Sequence, residues 1–352
     1  MLPEARRQVV QMVRLLANHP SIGIWCMHNE PVYTADTKDE RLSTRARLYL
    51  SVFGWSWNRD VMDTELKRVA QAEDPARPVV RSSGEYAVPL ARPGTDAHFY
   101  YGWYGAMYGP LRAWEPIVRR FSNNIRFVTE FGAQSFPNVE SCARFMDADI
   151  AKIDWDRLVE RHHFQPNMLD EWLDWRSAGS LAELVWMTQD YQIAINRFYT
   201  DRLRYYKYRP TGGVVPFMFH DSNPAIQWSI VDYWRVPKRS YDAMRLAFSP
   251  QYLFTLLDQD RYHVGAPVEL PIYVVNDARH TVPAELSAQL LGPGGAEIAR
   301  VERSLTLPAD CMAMEIDRLR LRPDRPGAYR LALALRPVEG EAVENEYVIV
   351  VG

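Results

Sequence analysis

An apolar run that ends abruptly in a carboxylate is the feature that most constrains the fold of this chain. The run covers residues 18–31 and reads NHPSIGIWCMHNEP. Residues 22–25 predict a short, fully buried strand of the parallel-sheet kind, and Asn29 and Glu30 follow where that strand leaves the sheet. An acid at the carboxyl end of a buried parallel strand occupies the position at which α/β barrels hold catalytic groups.

Helical and strand patterns alternate along the chain. The helical patterns cover residues 3–17, 41–72, 114–121, 180–206 and 241–248. The predicted strands cover residues 22–25, 79–84, 96–105, 125–129 and 214–219. This alternation, with polar side chains at the strand ends, predicts part of a (β/α)8 TIM barrel, about strands 4–8, rather than a doubly wound sheet.

A second carboxylate, Glu130, directly follows the strand at 125–129. Two carboxylates at the ends of different strands of one barrel can face the same bond, one protonated as an acid and the other ionised as a nucleophile. Glycoside hydrolases use such a pair of carboxylates for catalysis. The competing interpretation is that Glu30 and Glu130 are helix caps or salt-bridge partners, as most acids at strand ends are.

The character of the sequence changes after Ser249 and Pro250. Short alternating strands, such as residues 268–275 and 329–335, are separated by turns rich in Gly and Pro. This pattern predicts a C-terminal β-sandwich of the immunoglobulin-like type. We therefore expect an α/β fold followed by an all-β fold, with domains at 1–249 and 250–352.

Charge and cysteine content argue against several functional classes. The net charge of −3 and the scattered basic residues give no nucleic-acid footprint. Cys26, Cys142 and Cys311 form no CxxC pair, so neither a zinc site nor a disulfide framework is indicated. The absence of a long apolar run or an apolar signal segment predicts no membrane association, and a cytoplasmic location unless a signal lies upstream.

Two segments resemble the catalytic motifs of glycoside hydrolase family 2, in the family's order and separation. Residues 18–30 look like its acid/base segment, and residues 126–137, RFVTEFGAQSFP, look like its nucleophile segment. Trp25 with Cys26, and the QSFP tail, resemble the β-mannosidase branch more than the β-galactosidase or β-glucuronidase branches. The segment at 221–238 is similar to the one that follows the last barrel strand in the β-mannosidase branch.

The resemblance implies roles for individual residues in a retaining exo-β-glycosidase. Glu30 would be the general acid/base and Glu130 the nucleophile, with carboxyl groups roughly 5 to 5.5 Å apart. Asn29 would hydrogen-bond the 2-hydroxyl group of a terminal β-linked sugar. The other candidate substrate-binding residues are His98, Tyr100, Trp103, Phe217 and Asp221. For the first three of these, ordinary packing is the alternative, and no metal or cofactor is expected.

Four positions depart from the family pattern. Phe217 and Asn223 stand where relatives carry tryptophans, and His220 replaces a usual Asn. These changes leave a different sugar specificity, β-galactosidase-like or β-glucuronidase-like, as an alternative. His28 stands where mannosidases usually carry a small or amide residue, and it either tunes the pKa of Glu30 or is a hydrogen-bonded loop residue.

Family members also carry a sugar-binding β-sandwich, an immunoglobulin-like domain and three barrel strands ahead of the matching segment. An open barrel exposes apolar sheet and strand edges. We therefore expect a fragment of a longer enzyme, or a truncation completed by a homo-oligomer or by a complementing N-terminal half. The alternative function is that of a non-catalytic truncated barrel that acts by association with another chain.

Overall fold

The computed structural model describes residues 1–31, 54–85, 96–100, 111–257 and 261–352. The chain divides into two compact units. The first consists of Met1–Phe99 with Pro116–Glu130, and the second of Tyr100–Glu115 with Phe131–Gly352. Trp103 lies outside the described residues. So do residues 41–53, the first part of the helix predicted at 41–72.

The first unit combines helices with very short strands. Its elements are α1 (Leu2–Leu16), β1 (Trp25–Cys26), a π-helix (Asn58–Asp63), α2 (Thr64–Glu73), β2 (Val79–Val80), β3 (Ala97–His98), a 3₁₀ helix (Ser122–Ile125) and β4 (Phe127–Glu130). Helix α3 (Trp114–Arg120), with a 3₁₀ turn before it at Leu111–Ala113, runs from the second unit into the first.

The apolar stripe of α1 explains the core of the first unit. Val9 and Val13 lie one helical turn apart, so they share a face and are both buried. They form one core with the buried faces of α2, β1 and β2. Trp25 of β1 belongs to this core, and its indole Nε1–H donates to Oδ2 of Asp74 at 2.9 Å.

The strands of the first unit run parallel in pairs. In β1 and β2, Trp25 lies opposite Val79. In β3 and β4, His98 lies opposite Glu130. Because paired parallel strands point the same way, the residues that follow them leave at the same edge.

The first strand is shorter and later than predicted, since it begins at Trp25. Ile22 instead belongs to a turn, where its N–H donates to the carbonyl of His19 at 3.2 Å and its carbonyl accepts from Arg77 Nε at 2.9 Å. Because the N–H and the carbonyl of Ile22 are both occupied by these bonds, neither is left to pair with a neighbouring strand. The prediction that Ile24 is buried is wrong, because it is 38% exposed.

The second unit begins with helices and ends in sheets. Its elements are α4 (Val139–Cys142), 3₁₀ turns at Ile150–Lys152 and Trp175–Ser177, α5 (Trp155–Arg161), α6 (Pro166–Asp170), α7 (Leu181–Tyr205), β5 (Gly213–Val214), α8 (Arg239–Ala247), β6 (Gln251–Phe254), β7 (Val268–Asn276), β8 (Val282–Leu291), β9 (Glu297–Leu307), β10 (Met314–Leu321), β11 (Gly327–Pro337) and β12 (Val343–Val351).

Helix α7 confirms the long helix predicted from the sequence. It begins after Ser180, whose Oγ accepts from the Glu183 N–H at 3.2 Å. The Glu183 carboxylate in turn accepts from the Gly179 N–H at 2.8 Å, a capping arrangement that satisfies free donors at the helix start. The strand predicted at 214–219 is reduced to β5, because Pro216 has no N–H for a sheet.

The C-terminal strands form two antiparallel sheets, in the orders β10–β7–β6 and β12–β11–β8–β9. Buried residues alternate with more exposed ones along β8. Apolar residues of both sheets enter one shared core, which includes Ile272 and Leu333. The chain is therefore a mixed α/β region followed by antiparallel β sheets. No helix in the described ranges has both the length and the apolar character needed to cross a membrane.

Candidate active site

The candidate site lies where the parallel strands of the first unit end. Glu30 and Ser83 shortly follow β1 and β2, and their segments stay joined: the Glu30 N–H donates to the Ser83 carbonyl at 2.9 Å. His98 ends β3 and Glu130 ends β4. The Phe99 N–H donates to the Glu130 carbonyl at 2.8 Å. Glu30 thus follows one parallel pair of strands, and Glu130 ends a strand of the other pair.

His98 lies between the two carboxylates. Its Nδ1 is 2.7 Å from Oε1 of Glu30 and 3.2 Å from Oε2 of Glu130. An ionised carboxylate can only accept hydrogen bonds, so we assign a proton to Nδ1 in this arrangement. The imidazole therefore joins the two acids that the sequence singled out.

The two carboxylates differ in exposure. The side chain of Glu30 is 42% exposed, whereas that of Glu130 is 13% exposed. Glu30 also has a backbone φ of +44°, in the left-handed region that residues other than glycine rarely adopt. Such strain persists only where the surroundings hold it, and it clusters at functional sites.

Gly84 makes room for the imidazole. Its φ is +63°, and a Cβ there would lie 2.6 Å from both Nδ1 and Cε1 of His98. Real Cβ atoms essentially never approach so closely. The backbone at this position therefore requires glycine for both its conformation and its contact with His98.

Hydrogen bonds also hold the opposite edge of the imidazole. Nε2 of His98 is 2.9 Å from Oγ of Ser83, and Ser83 Oγ–H donates to Oδ2 of Asp96 at 2.6 Å. Asp96, which is only 4% exposed, also accepts from Thr129 Oγ1 at 2.5 Å and from the Gly84 N–H at 3.1 Å. The ring is thus fixed from both sides.

The hydrogen bond from His98 lowers the pKa of Glu30 below its ordinary value. Partial burial of Glu30 opposes this shift, while charge on His98 reinforces it. In this arrangement the ionised form of Glu30 is favoured, because the hydrogen bond stabilises the charged carboxylate.

Glu30, His98 and Glu130 each present one potential ligand atom, and these atoms all lie within 4.8 Å of one another. Among the described residues this is the group whose spacing would suit a metal ion. Hydrogen bonds between imidazole and carboxylates account for the cluster, however, and a metal would have to replace the proton on Nδ1. We assign no metal to it.

The remaining predicted residues have different surroundings. Asn29 is exposed and forms a parallel bridge with Ser83, which places it at the same strand ends as Glu30. Tyr100, Phe217 and Asp221 belong to the second unit.

Within the second unit, Phe217 packs against Trp228 with ring centroids 6.0 Å apart. Asp221 is completely buried, and burial raises the pKa of its carboxyl group while the Lys238 charge lowers it. As described, Asp221 has no exposed surface with which to contact a sugar directly.

The contacts of His28 agree with the second interpretation, that it is a hydrogen-bonded loop residue. Its Nδ1 is hydrogen-bonded to Oδ2 of the fully buried Asp63 at 3.2 Å, and its carbonyl accepts from the Ser83 N–H at 2.9 Å. Those contacts are the ones expected of a hydrogen-bonded loop residue.

Sequence reasoning missed Ser83, Asp96 and Thr129 as parts of the site. Ser83 lies near the end of the strand predicted at 79–84, and Thr129 ends the one predicted at 125–129. The rule that polar residues at the carboxyl ends of parallel strands converge would therefore have pointed to these two, whereas Asp96 begins its predicted strand and carries no such signal.

A comparison with known protein families finds no matching family pattern. Curated proteins do match: the chain is 25% identical over 271 residues to β-mannosidase B of Aspergillus fumigatus, covering 71% of this chain and 30% of that protein. β-Mannosidase B of Thermothelomyces thermophilus is 25% identical over 272 residues, with the same coverage of 71% and 30%.

Solved structures show the same fold. The β-D-mannosidase of Dictyoglomus thermophilum matches 99% of this chain and 40% of its own length, with a TM-score of 0.67 and 20% identity. The exo-chitosanase of Amycolatopsis orientalis matches 99% and 39%, with a TM-score of 0.63 and 15% identity. The chain is thus a distant, glycoside hydrolase family 2-like homologue of β-mannosidase B and spans about 30% of the length of its curated relatives.

Proposed function

We propose that the chain is the catalytic C-terminal part of a retaining exo-β-glycosidase of the β-mannosidase-like kind. Residues 1–249 would supply about strands 4–8 of a (β/α)8 barrel, and residues 250–352 an immunoglobulin-like β-sandwich. The observation that carries the proposal is that carboxylate oxygens of Glu30 and Glu130 lie within 4.8 Å of each other.

This separation favours retention of anomeric configuration over inversion. Retaining glycosidases hold their two carboxyl groups about 5 to 5.5 Å apart, whereas inverting enzymes need about 6.5 to 9.5 Å to admit a water molecule between acid and base. One oxygen of Glu30 and one of Glu130 lie within 4.8 Å of each other, which is nearer to the retaining than to the inverting spacing.

Exposure supports the assignment of roles. Glu130, the more enclosed acid, would attack the anomeric carbon and form a glycosyl-enzyme as the bond to the leaving group breaks. Glu30, the more exposed acid, would protonate the departing oxygen and later remove a proton from the attacking water. Water and leaving group both need access to Glu30, whereas Glu130 needs only the anomeric carbon.

The proposed substrate is a carbohydrate with a terminal β-linked mannosyl residue, because the curated relatives carry the name β-mannosidase B. Asn29 would contact the sugar 2-hydroxyl group, as the resemblance implies. Tyr100, Trp103, Phe217 and Asp221 stay candidates for substrate binding on the resemblance alone.

Hydrolysis of aryl β-glycosides tests the proposal. The full-length gene product and this chain alone are assayed with aryl β-mannoside and with matched β-glucoside, β-galactoside and β-glucuronide. We expect turnover of the mannoside with retained configuration, read by proton NMR of the first-formed product. Glu130→Gln should abolish it, and Glu160→Gln, at an exposed helix position, should not.

Each other outcome has a definite meaning. Turnover of one of the other glycosides would contradict the proposed specificity for mannose but would agree with the proposed two-glutamate mechanism. If the full-length product turns over none of these glycosides and the Glu130→Gln variant is indistinguishable from wild type, the proposed enzymatic function is refuted. The alternative, association of a non-catalytic chain with a partner, would then be the remaining function.

A further inference from the structure

The buried network behind His98 determines which ring nitrogen carries the exchangeable proton. Two hydroxyl groups, those of Ser83 and Thr129, both contact Oδ2 of Asp96, at 2.6 and 2.5 Å. A carboxylate oxygen accepts only, so each of these short contacts requires its own hydrogen atom. The two hydroxyl groups have only two hydrogen atoms between them, and both are used.

Ser83 therefore has no hydrogen left for His98. Its Oγ still lies 2.9 Å from Nε2 and can offer that nitrogen only a lone pair. Nε2 must then be the donor and carry a proton. The 3.0 Å contact between the Ser83 and Thr129 hydroxyl oxygens is the longest among these three oxygens and follows from their shared acceptor.

We propose that Asp96 and Ser83 are positioning residues that keep Nε2 of His98 protonated, so that Nδ1 is the atom that exchanges a proton with Glu30. Asp96, Ser83 and His98 form what we call the relay. This inference rests on the proposed function of Glu30 as acid/base and deepens it. Gly84 completes the arrangement, because its N–H holds the second oxygen of Asp96 at 3.1 Å.

The relay resolves a conflict in the proposed mechanism. A general acid must carry a proton when substrate binds, yet the hydrogen bond from His98 lowers the pKa of Glu30. The proton on Nδ1 lies 2.7 Å from Oε1 of Glu30 and can supply that acid. After its transfer the ring is neutral, because Nε2 keeps its own proton.

The proton balance closes over both steps. Nδ1 gives its proton to Glu30, which passes it to the glycosidic oxygen as the C–O bond breaks and Glu130 bonds to the anomeric carbon. In the second step Glu30 takes a proton from water as the water oxygen displaces Glu130. That proton returns to Nδ1.

The titratable groups around His98 are accounted for among the described residues. Glu30 and Glu130 face Nδ1, and Asp96 faces Nε2 through Ser83. The charge of Asp96 also helps to raise the pKa of the Cys26 thiol in β1. The anion behind the ring is thus Asp96, which makes it the residue to change.

The Asp96→Asn variant tests the relay with little change in shape. An Asn side chain offers an N–H₂ donor to Ser83, and this frees the Ser83 hydroxyl to donate to Nε2. The neutral ring should then hold its proton on Nδ1. The full chain labelled with ¹⁵N-histidine reports this directly, because protonated and unprotonated ring nitrogens differ widely in ¹⁵N shift; the His98→Gln spectrum assigns the signals.

At a pH where the ring is neutral, we expect its single proton to lie on Nε2 in wild type and on Nδ1 in Asp96→Asn. Ser83→Ala should weaken the wild-type preference, and Asp74→Asn, which alters another buried carboxylate of the first unit, should not change it. In the active full-length product, Asp96→Asn should lower kcat about 10- to 100-fold, part of the contribution of general acid–base catalysis, and shift the pH profile with KM nearly unchanged.

The spectra separate failure of the relay from failure of the proposed function. An unprotonated Nε2 in wild type, or an unaltered tautomer in Asp96→Asn, would overturn the relay whatever the activity. A switched tautomer without turnover of any glycoside would leave the relay intact as a structural feature and reject its catalytic role. If Asp96→Asn fails to fold, the wild-type spectrum and Ser83→Ala still decide.

Discussion

Replacement of Gly84 by alanine should damage the candidate site in a way that the structure allows to be estimated. The added Cβ would lie 2.6 Å from Nδ1 and Cε1 of His98, against 3.4 Å for ordinary contact, so the ring would have to retreat by about 0.8 Å. The ring is hydrogen-bonded on both edges and cannot yield like the end of a flexible side chain.

Two terms determine the loss of stability. The left-handed backbone at φ +63° costs an alanine about 1 to 2 kcal/mol, of which the stiffer unfolded chain offsets about 0.4 to 1 kcal/mol. Displacement of the hydrogen-bonded His98 adds about 1 kcal/mol. We expect Gly84→Ala to lower the free energy of unfolding by about 2 kcal/mol.

Two other glycines separate these terms. Gly265 has φ +77° with nothing within 4 Å of an added Cβ, so Gly265→Ala should show the backbone term alone, about 1 kcal/mol. Gly23 has neither a left-handed φ nor a neighbour within 4 Å, so Gly23→Ala should cause no loss.

Urea unfolding followed by tryptophan fluorescence measures the stability term, and ¹⁵N shifts of the His98 ring measure its displacement. Under the proposed function, kcat for glycoside hydrolysis should fall about 10- to 100-fold, because displacements near 1 Å cost catalysis about that much. The reasoning is refuted if Gly84→Ala matches Gly265→Ala in stability and leaves the His98 signals in place.

Two further predictions concern pH. Because the hydrogen bond from His98 lowers the folded-state pKa of Glu30 below 4.5, their interaction stabilises the fold above pH 4.5 and is lost as the pH falls below it. His98→Gln should remove this dependence in urea unfolding measured across that range, and an unchanged pH profile would contradict it. Burial lowers the pKa of Lys238 from 10.5 to about 8, so the unfolded chain binds more protons between these values and stability should gain from this group as the pH rises from 8 to 10.5. Lys238→Met should lose that gain, and a gain equal to that of wild type would show that Lys238 is not its source.

The fold was predictable in outline because local patterns carry it. The period of Val9 and Val13 indicates a helix whose one face is buried, and alternation along the C-terminal strands indicates antiparallel sheets. Strand lengths were less predictable. Ile22 looks like a strand residue, but its carbonyl accepts a hydrogen bond from Arg77, 55 residues away.

The sequence by itself determined that two acids, Glu30 and Glu130, follow strand patterns within family-like motifs. Only the tertiary structure decided that His98 joins them and that Asp96 and Ser83 stand behind it. Glu30 and His98 are 68 residues apart, and Ser83 and Thr129 are 46 apart. No local pattern encodes those contacts, because Glu30 and Ser83 follow the strands of one small sheet while His98 and Thr129 lie in the strands of another. Only the packing of the folded chain brings the two sheets together.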